Sequence, residues 1–425
     1  MAYHTEPDRD GSDEGGLAAL IYDPKARGLL FQTILLLAVI GFFAWILDNT
    51  VSNLAAQNKK SGFGFLEESS GFQILTTLGT YLIEARPGVA TYFDIFWIGV
   101  VNTLAVAVVG IIFATIIGFA IGIFRLSSNI ILRGFATVYV EVLRNIPLLL
   151  QILFFYIVVL RILPGKREEG YTLFNSAFGL NIEGLFAPFP VIREGIGVVM
   201  LALIGAIFLA WVIAWLAKKR QEATGKQFPS FWVGLALIVL IPLVVFYMVG
   251  EPMNLEYPKF LNAGDVRPDG RTVSRIQAGY DIELGGMVVV PEFLALLIAL
   301  SLYTASFIAE IVRAGILAVA SGQTEASKAL GMSNGQNLRL VVIPQALRVI
   351  IPPLTSQYLN LTKNSSLAVA IAYPDIVSVF AGTALNQVGQ EIEMIFMMMM
   401  VYLVISLVTS AFMNWFNDRM RLVER

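Results

Sequence analysis

Apolar runs of about twenty residues or more recur along this chain, and runs of that length fit one environment. A helix rising about 1.5 Å per residue needs about twenty residues to cross roughly 30 Å of hydrocarbon. Water is absent there, so each backbone N–H and C=O must be paired within its own segment or in a closed barrel. The runs here are continuous rather than alternating, which points to helices. Charged residues are 14% of the 425, against about 25% in soluble domains. The expected fold class is therefore an all-α integral membrane protein.

Eight spans are expected: Gly28–Leu47, Ile95–Phe124, Phe135–Leu160, Ile196–Leu216, Phe231–Val249, Val288–Val312, Leu338–Ala372 and Ile392–Phe416. Residues 1–27 are polar and rich in Gly, Asp and Glu, and read as a disordered tail. The first run is too long for a signal-peptide core and lacks a small-residue cleavage site, so it reads as a retained span. The organisation expected is a tail (1–27), a first helix with a polar segment (28–94), and two patterned regions (95–160 and 287–425). Between those two lies 161–286, which reads as an insertion carrying one helical pair. Basic residues are denser in the short segments around Arg125, Arg133, Lys218–Lys226, Arg313, Lys328 and Arg339 than in the longer loops opposite. By the positive-inside rule both termini are expected to be cytoplasmic.

What the chain lacks narrows its chemistry. It has no cysteine, and its one histidine, His4, lies in the polar tail. Disulfides and thiolate metal sites are excluded, and a histidine-based metal centre is not expected. A formal charge of −2 gives no polyanion-binding excess. A G-x-x-x-x-G-K-[ST] phosphate loop is missing, so the chain is not expected to hydrolyse ATP by that mechanism.

One polar segment between spans, Ser321–Gln336, spells helix, turn, helix. Glu325 near the start and Lys328 near the end of the first helix suit its macrodipole. Ala326, Ala329 and Leu330 fall at i, i+3 and i+4 and make a small apolar face. Gly331 supplies the left-handed residue that ends a helix, and Met332 follows it. Ser333 with Gln336 fits a capping box that restarts a helix into the next span. A short rigid knob of this kind can sit in another protein's groove and pass on rigid-body motion.

These residues resemble a family. Glu325-Ala326, Gly331 and Ile343-Pro344 are similar in kind and spacing to the EAA loop of permeases of ATP-binding-cassette (ABC) importers. Pro291-Glu292-Phe293, Glu310-Ile-Val-Arg313, Thr362 to Leu367, Asn102-Thr103-Leu104 and Tyr139 to Gln151 extend the likeness in order. Together they resemble the histidine/glutamine/arginine-type permeases for polar amino acids, in the long form with an inserted helical pair found in general L-amino-acid importers. Ser327 departs from the pattern where the family often has a third alanine. The bland alternative, an ordinary hairpin between spans, does not account for the ordered flanking motifs.

The resemblance implies a type I importer (MetI-like) permease core in a bacterial inner membrane. It implies a coupling role for Glu325, Ala326, Lys328, Ala329, Leu330, Gly331 and Met332. It also implies partners: a cytoplasmic ATPase dimer, a periplasmic amino-acid-binding protein and a second, similar permease. No cofactor is expected on this chain, ATP and Mg being used by the partner ATPase. No catalytic residues and no metal site are expected.

For cargo, Gln357, Asn360, Lys363 and Asn364 recur at three and four residues and draw a polar stripe along an apolar helix, with Ser365 and Ser366 following. Lys363, the serines and the asparagines could pair with an amino-acid zwitterion. The stripe could equally be a polar seam between permease subunits. Pro352-Pro353 and Pro374 are expected to interrupt the helix around it. Glu141 with Arg144, and Glu310 with Arg313, stand three residues apart and are expected to pair in a structural or interface role rather than to touch cargo. The rival class is an ion-gradient-driven amino-acid transporter, which calls for inverted repeats and intramembrane carboxylates.

Overall fold

Among the described residues, seven helices are long and apolar enough to cross a membrane, and eight crossings result if one bent pair counts as a single span. They are seen in a computed structural model that describes residues 24–56, 62–74, 76–83, 88–174, 176–275, 277–281 and 284–420. The chain order begins α1 (Pro24–Ala56), a short α2 (Leu78–Leu82), α3 (Tyr92–Phe124), α4 (Ile130–Asn145) and α5 (Leu148–Ile162). The insertion adds α6 (Ile196–Thr224) and α7 (Ser230–Met248). After α8 (Pro291–Leu317) come α9 (Ser321–Ala329), α10 (Asn334–Asn337), α11 (Ile343–Asn364), α12 (Leu385–Val388) and α13 (Glu391–Met420). Most of the expected tail, residues 1–23 with His4, lies outside the described residues; α1 already includes Pro24 to Arg27.

The expected single span Phe135–Leu160 is instead two helices, α4 and α5, with a bend of 109° between them. Pro147 explains the break, because its ring clashes with a preceding helical turn and forces Ile146 into extended geometry (φ −96°, ψ 130°). The carbonyls thereby freed are not left bare. The amide of Gln151, 4% exposed, donates to the Leu143 carbonyl at 2.8 Å and the Ile146 carbonyl at 2.9 Å. Pro352 and Pro353 behave oppositely to expectation: α11 runs unbroken through both. A π-helical turn at Leu338–Val342 precedes α11, and a 3-10 segment at Ser365–Ile371 follows it.

The core is built on α3 and α8, which pack closely because small residues line their contact. Gly118 and Gly122 of α3 face Ile308, Ala309 and Val312 of α8, and a Cβ at Gly118 would lie 2.6 Å from Ile308 Cβ. In lipid the attraction between helices comes from such close packing rather than from apolar burial. Thr91 starts α3 with a reciprocal cap, accepting from the Asp94 N–H while Asp94 accepts from the Thr91 N–H. Around this pair, Val106, Leu296, Leu300, Ile152 and Tyr373 form one buried cluster, and Ala114, Ile308, Ile350 and Leu361 belong to another.

The all-α expectation holds for the spans, but the loops outside them also carry short strands. These are β1 (Tyr171–Leu173), β2 (Phe178–Asn181), β3 (Gly184–Ala187), β4 (Phe189–Ile192), β5 (Met253–Glu256), β6 (Lys259–Leu261), β7 (Gly279–Asp281) and β8 (Met287–Val289). One antiparallel sheet has the order β1-β2-β3-β8, and β8 runs directly into α8. This sheet ties the insertion to the core. Tyr280 stacks on Phe186 at 4.1 Å and donates to the Glu169 carbonyl; burial, with the charge of Glu169 adding, pushes its phenol up. By contrast, the buried residues of α6 and α7 are Ala206, Ala210 and Gly234, and Gly234 lies against Ala210 where the two helices meet.

Candidate functional site

The segment after α8 folds as its local signals dictate. Gly331 takes a left-handed conformation (φ +78°) with nothing within 4 Å of where a Cβ would sit, so backbone geometry rather than crowding selects glycine. The Gly331 N–H bonds the Lys328 carbonyl at 2.9 Å and the Met332 N–H bonds the Ser327 carbonyl at 3.1 Å. That crossed pair closes α9 with a Schellman turn. Ser333 and Gln336 then exchange bonds, the Ser333 N–H donating to Gln336 Oε1 at 2.9 Å and the Gln336 N–H to Ser333 Oγ at 3.3 Å. The outcome is a knob fused to α11 with little freedom of its own.

The knob has an inner and an outer face. Ser327, 3% exposed, points inward and donates to the Thr324 carbonyl at 2.9 Å. Asn337, also buried, reaches Thr324 Oγ1 at 3.5 Å, and Gln345 reaches Gln323 at 3.4 Å. Glu325, Ala326, Lys328, Ala329, Leu330 and Gly331 are all exposed, Leu330 at 83%, while Met332 is half-buried. Leaving a leucine so exposed beside two alanines suits a surface that another protein covers.

Behind the knob, Glu310 of α8 accepts from Arg313 at 2.7 Å and 3.1 Å and is also ion-paired with Arg125 at the end of α3. This three-residue cluster locks the knob-side ends of α3 and α8 together. The sequence foresaw the Glu310–Arg313 pair and not the contribution of Arg125, which is distant in the chain. The Glu141–Arg144 pair is not found among the described ion pairs. Arg144 instead lies over the Phe307 ring at 4.9 Å, where a guanidinium gains from the ring face.

The polar stripe of α11 faces away from the chain's own core. Leu354, Leu361 and Thr362 are buried on the opposite face, while Asn360 and Lys363 are exposed and Gln357 and Asn364 half-buried. Ser365 leaves the stripe: it is fully buried and donates to the Thr362 carbonyl at 2.7 Å. Ser366, half-buried, donates to the Lys363 carbonyl at 2.7 Å. A cavity of about 660 Å³ lies between α3 and α13, but its walls are apolar residues such as Trp97, Leu104, Met397 and Val404. Of α11 only Thr362 reaches it, so the stripe and this cavity are separate features.

At the other end of α11 lies a polar lock whose parts the sequence did not connect. The Asn102 amide donates to the Pro374 carbonyl at 2.8 Å and accepts from the Gly79 N–H at 2.9 Å. Thr103 Oγ1 accepts from the Ile376 N–H at 3.1 Å, and Asp375 accepts from the Ser378 N–H at 2.8 Å. These bonds hold the reversal after Ala372, a non-glycine residue at φ +56°. The available signal was a pair of adjacent polar residues, Asn102 and Thr103, in a mostly apolar run. Asn102→Leu leaves a buried N–H and a buried C=O unpaired, each costing about 1–3 kcal/mol, so the midpoint of thermal unfolding should fall by several degrees. An unchanged midpoint would show that the lock is not needed.

Comparison with known proteins adds a context. Residues 224–422 match the model of the family described as "Binding-protein-dependent transport system inner membrane component". The "General L-amino acid transport system permease protein AapQ" of Rhizobium johnstonii is 49% identical over 95% of each chain. The "Putative amino-acid ABC transporter permease protein YhdX" of Escherichia coli is 46% identical over 95% of this chain and 96% of its own. The "Glutamate/glutamine/aspartate/asparagine transport system permease protein BztB" of Rhodobacter capsulatus is 38% identical over the full length of both.

Proposed function

The chain belongs to the binding-protein-dependent transport system inner membrane components, and on that premise we propose how it works: it is the permease subunit of an ATP-driven ABC importer of amino acids. Such permeases act with an ATPase and a binding protein. The observation that carries the proposed mechanism is the exposed Ala326–Ala329–Leu330 face on a knob fused to α11 and linked to α8.

In this reading the partner ATPase dimer binds and hydrolyses ATP with Mg, and its closure pushes on α9. The Schellman turn and capping box pass the displacement to α11, and the short link from Leu317 to Ser321 passes it to α8. Because Arg125, Glu310 and Arg313 bind α3 to α8, the inner halves move as one body. The lock at Asn102 and Pro374 provides a fixed outer end. The spans thereby tilt between inward- and outward-open states, with the chain in the inner membrane and both termini cytoplasmic.

The exposed stripe supports a passage completed by a second, similar permease. Gln357, Asn360, Lys363 and Asn364 then face the passage from this subunit, Lys363 offering a cation to the cargo carboxylate. Ser366 continues that line, and Ser365, turned into the core, has only a supporting part. Lys363→Gln should raise the KM for uptake about tenfold or more, as expected for a lost charge-assisted contact, while leaving basal ATPase activity unchanged. Dissociation of the permease pair without a KM effect would assign the stripe to the subunit seam instead.

The decisive experiment reconstitutes the purified complex in vesicles with ATP and ion gradients controlled separately. Labelled amino-acid uptake should require ATP on the side of the Ser321–Gln336 loop. Uptake driven by a gradient alone would replace this reading with a gradient-driven transporter.

A further inference from the structure

The α6–α7 hairpin carries a feature that coupling and cargo do not use. The last two turns of α6, with the short segment joining it to α7, hold Lys218, Lys219, Arg220 and Lys226 against the single carboxylate of Glu222. Every residue from Lys218 to Pro229 is exposed, and none of the four cations has an ion pair among the described residues.

The depth of this loop follows from helix geometry. The two helices touch where a Cβ at Gly234 would lie 3.3 Å from Ala210 Cβ. From there Trp215 lies five residues along α6, about 7.5 Å, and Ser230 lies four residues back along α7, about 6 Å. Both therefore sit at one level. The 19 residues of α7 measure about 28 Å, close to the thickness of the hydrocarbon, so Ser230 marks its boundary. Trp215, Phe231 and Trp232 are exposed at that level, as interfacial aromatic residues are. Lys218 begins about 4.5 Å further out, in the layer of lipid phosphates. Lys219 already leans back over the Trp215 ring at 5.4 Å.

Side and setting agree. Both α6 and α8 start from the outer strand region, so the α6–α7 loop lies on the same side as the coupling knob. The hairpin also buries little against the rest of the chain, so its position needs another anchor.

We propose that Lys218, Lys219, Arg220 and Lys226 form a binding site for anionic phospholipid headgroups, of the phosphatidylglycerol type, that anchors the hairpin at the membrane surface beside the coupling knob. The chemistry is attraction between clustered cations and a phosphodiester at the end of an apolar hairpin, with the acyl chains lying along its exposed apolar sides. The site depends on the membrane topology and not on which cargo is carried.

The test places the full permease complex in nanodiscs of equal phosphatidylglycerol and phosphatidylcholine. The lipids that stay bound on transfer to mild detergent are counted by native mass spectrometry. The ratio of bound phosphatidylglycerol to bound phosphatidylcholine should be about five, against one in the bilayer, a modest fraction of what four basic residues near an anionic surface can supply. The variant Lys218→Gln, Lys219→Gln, Arg220→Gln and Lys226→Gln should lose that enrichment. A control neutralising Lys166, Lys259, Arg271 and Arg275 on the opposite side should keep it. Excess inorganic phosphate should leave the enrichment in place, because the site takes a membrane-held headgroup. No enrichment in the wild-type chain, or equal enrichment in the quadruple variant, overturns the proposal. So does a quadruple variant that keeps its lipid and loses the co-purifying ATPase, which would make the loop a protein contact.

Discussion

Leu330→Glu should leave the permease inserted and folded, yet reduce ATP-driven uptake about thirtyfold or more. Leu330 is 83% exposed and stands at the tip of the knob beside Ala326 and Ala329, so the variant removes no packing within the chain. A carboxylate buried unpaired in a partner's groove costs at least as much as losing an interface hot spot, about 2 kcal/mol or more. That is roughly a thirtyfold loss of productive coupling. The measurement pairs uptake in reconstituted vesicles with the thermal midpoint of the isolated permease. Reduced uptake with an unchanged midpoint places the defect at the interface. Normal uptake would remove the knob from the mechanism.

A second large effect is expected in the membrane core. Gly118→Val should destabilise the chain by about 3 kcal/mol, the upper range for overpacking. Its Cβ would lie 2.6 Å from two Ile308 carbons and 3.1 Å from the Ala305 carbonyl, so α3 and α8 would have to separate. Because Arg125 and Glu310 join the same helices further along, separation there also loosens the cluster behind the knob. Gly134→Val is the control, since nothing lies within 4 Å of a Cβ at that position. Size-exclusion profiles of the two variants after graded heating would check this. Equal profiles would mean that the α3–α8 contact tolerates a branched side chain.

Much of the Ser321–Gln336 knob was legible because its signals are local. Gly331, Ser333 and Gln336 each act on backbone groups within a few residues, so their spacing specifies the turn and the restart. The broken α4–α5 span is written in Pro147, although the apolar run across it is long enough to pass for one crossing. Pro352 and Pro353 show the converse: proline identity alone does not break a helix in a membrane, where packing and neighbouring groups can compensate. The strands of the insertion stayed hidden because they are three or four residues long and give too short a pattern to separate from loop.

By itself the sequence determined the solvent, the approximate spans and the knob, because apolar run length and local capping depend on nothing distant. Tertiary structure decided which charges and polar groups meet. Arg125 and Glu310 lie 185 residues apart, and Asn102 reaches the Pro374 carbonyl across 272. It also decided that the α11 stripe points away from the chain's own core while Ser365 turns into it. Such contacts depend on how α3, α8 and α11 pack, and that packing is set by shape at small residues such as Gly118 rather than by any pattern along one helix.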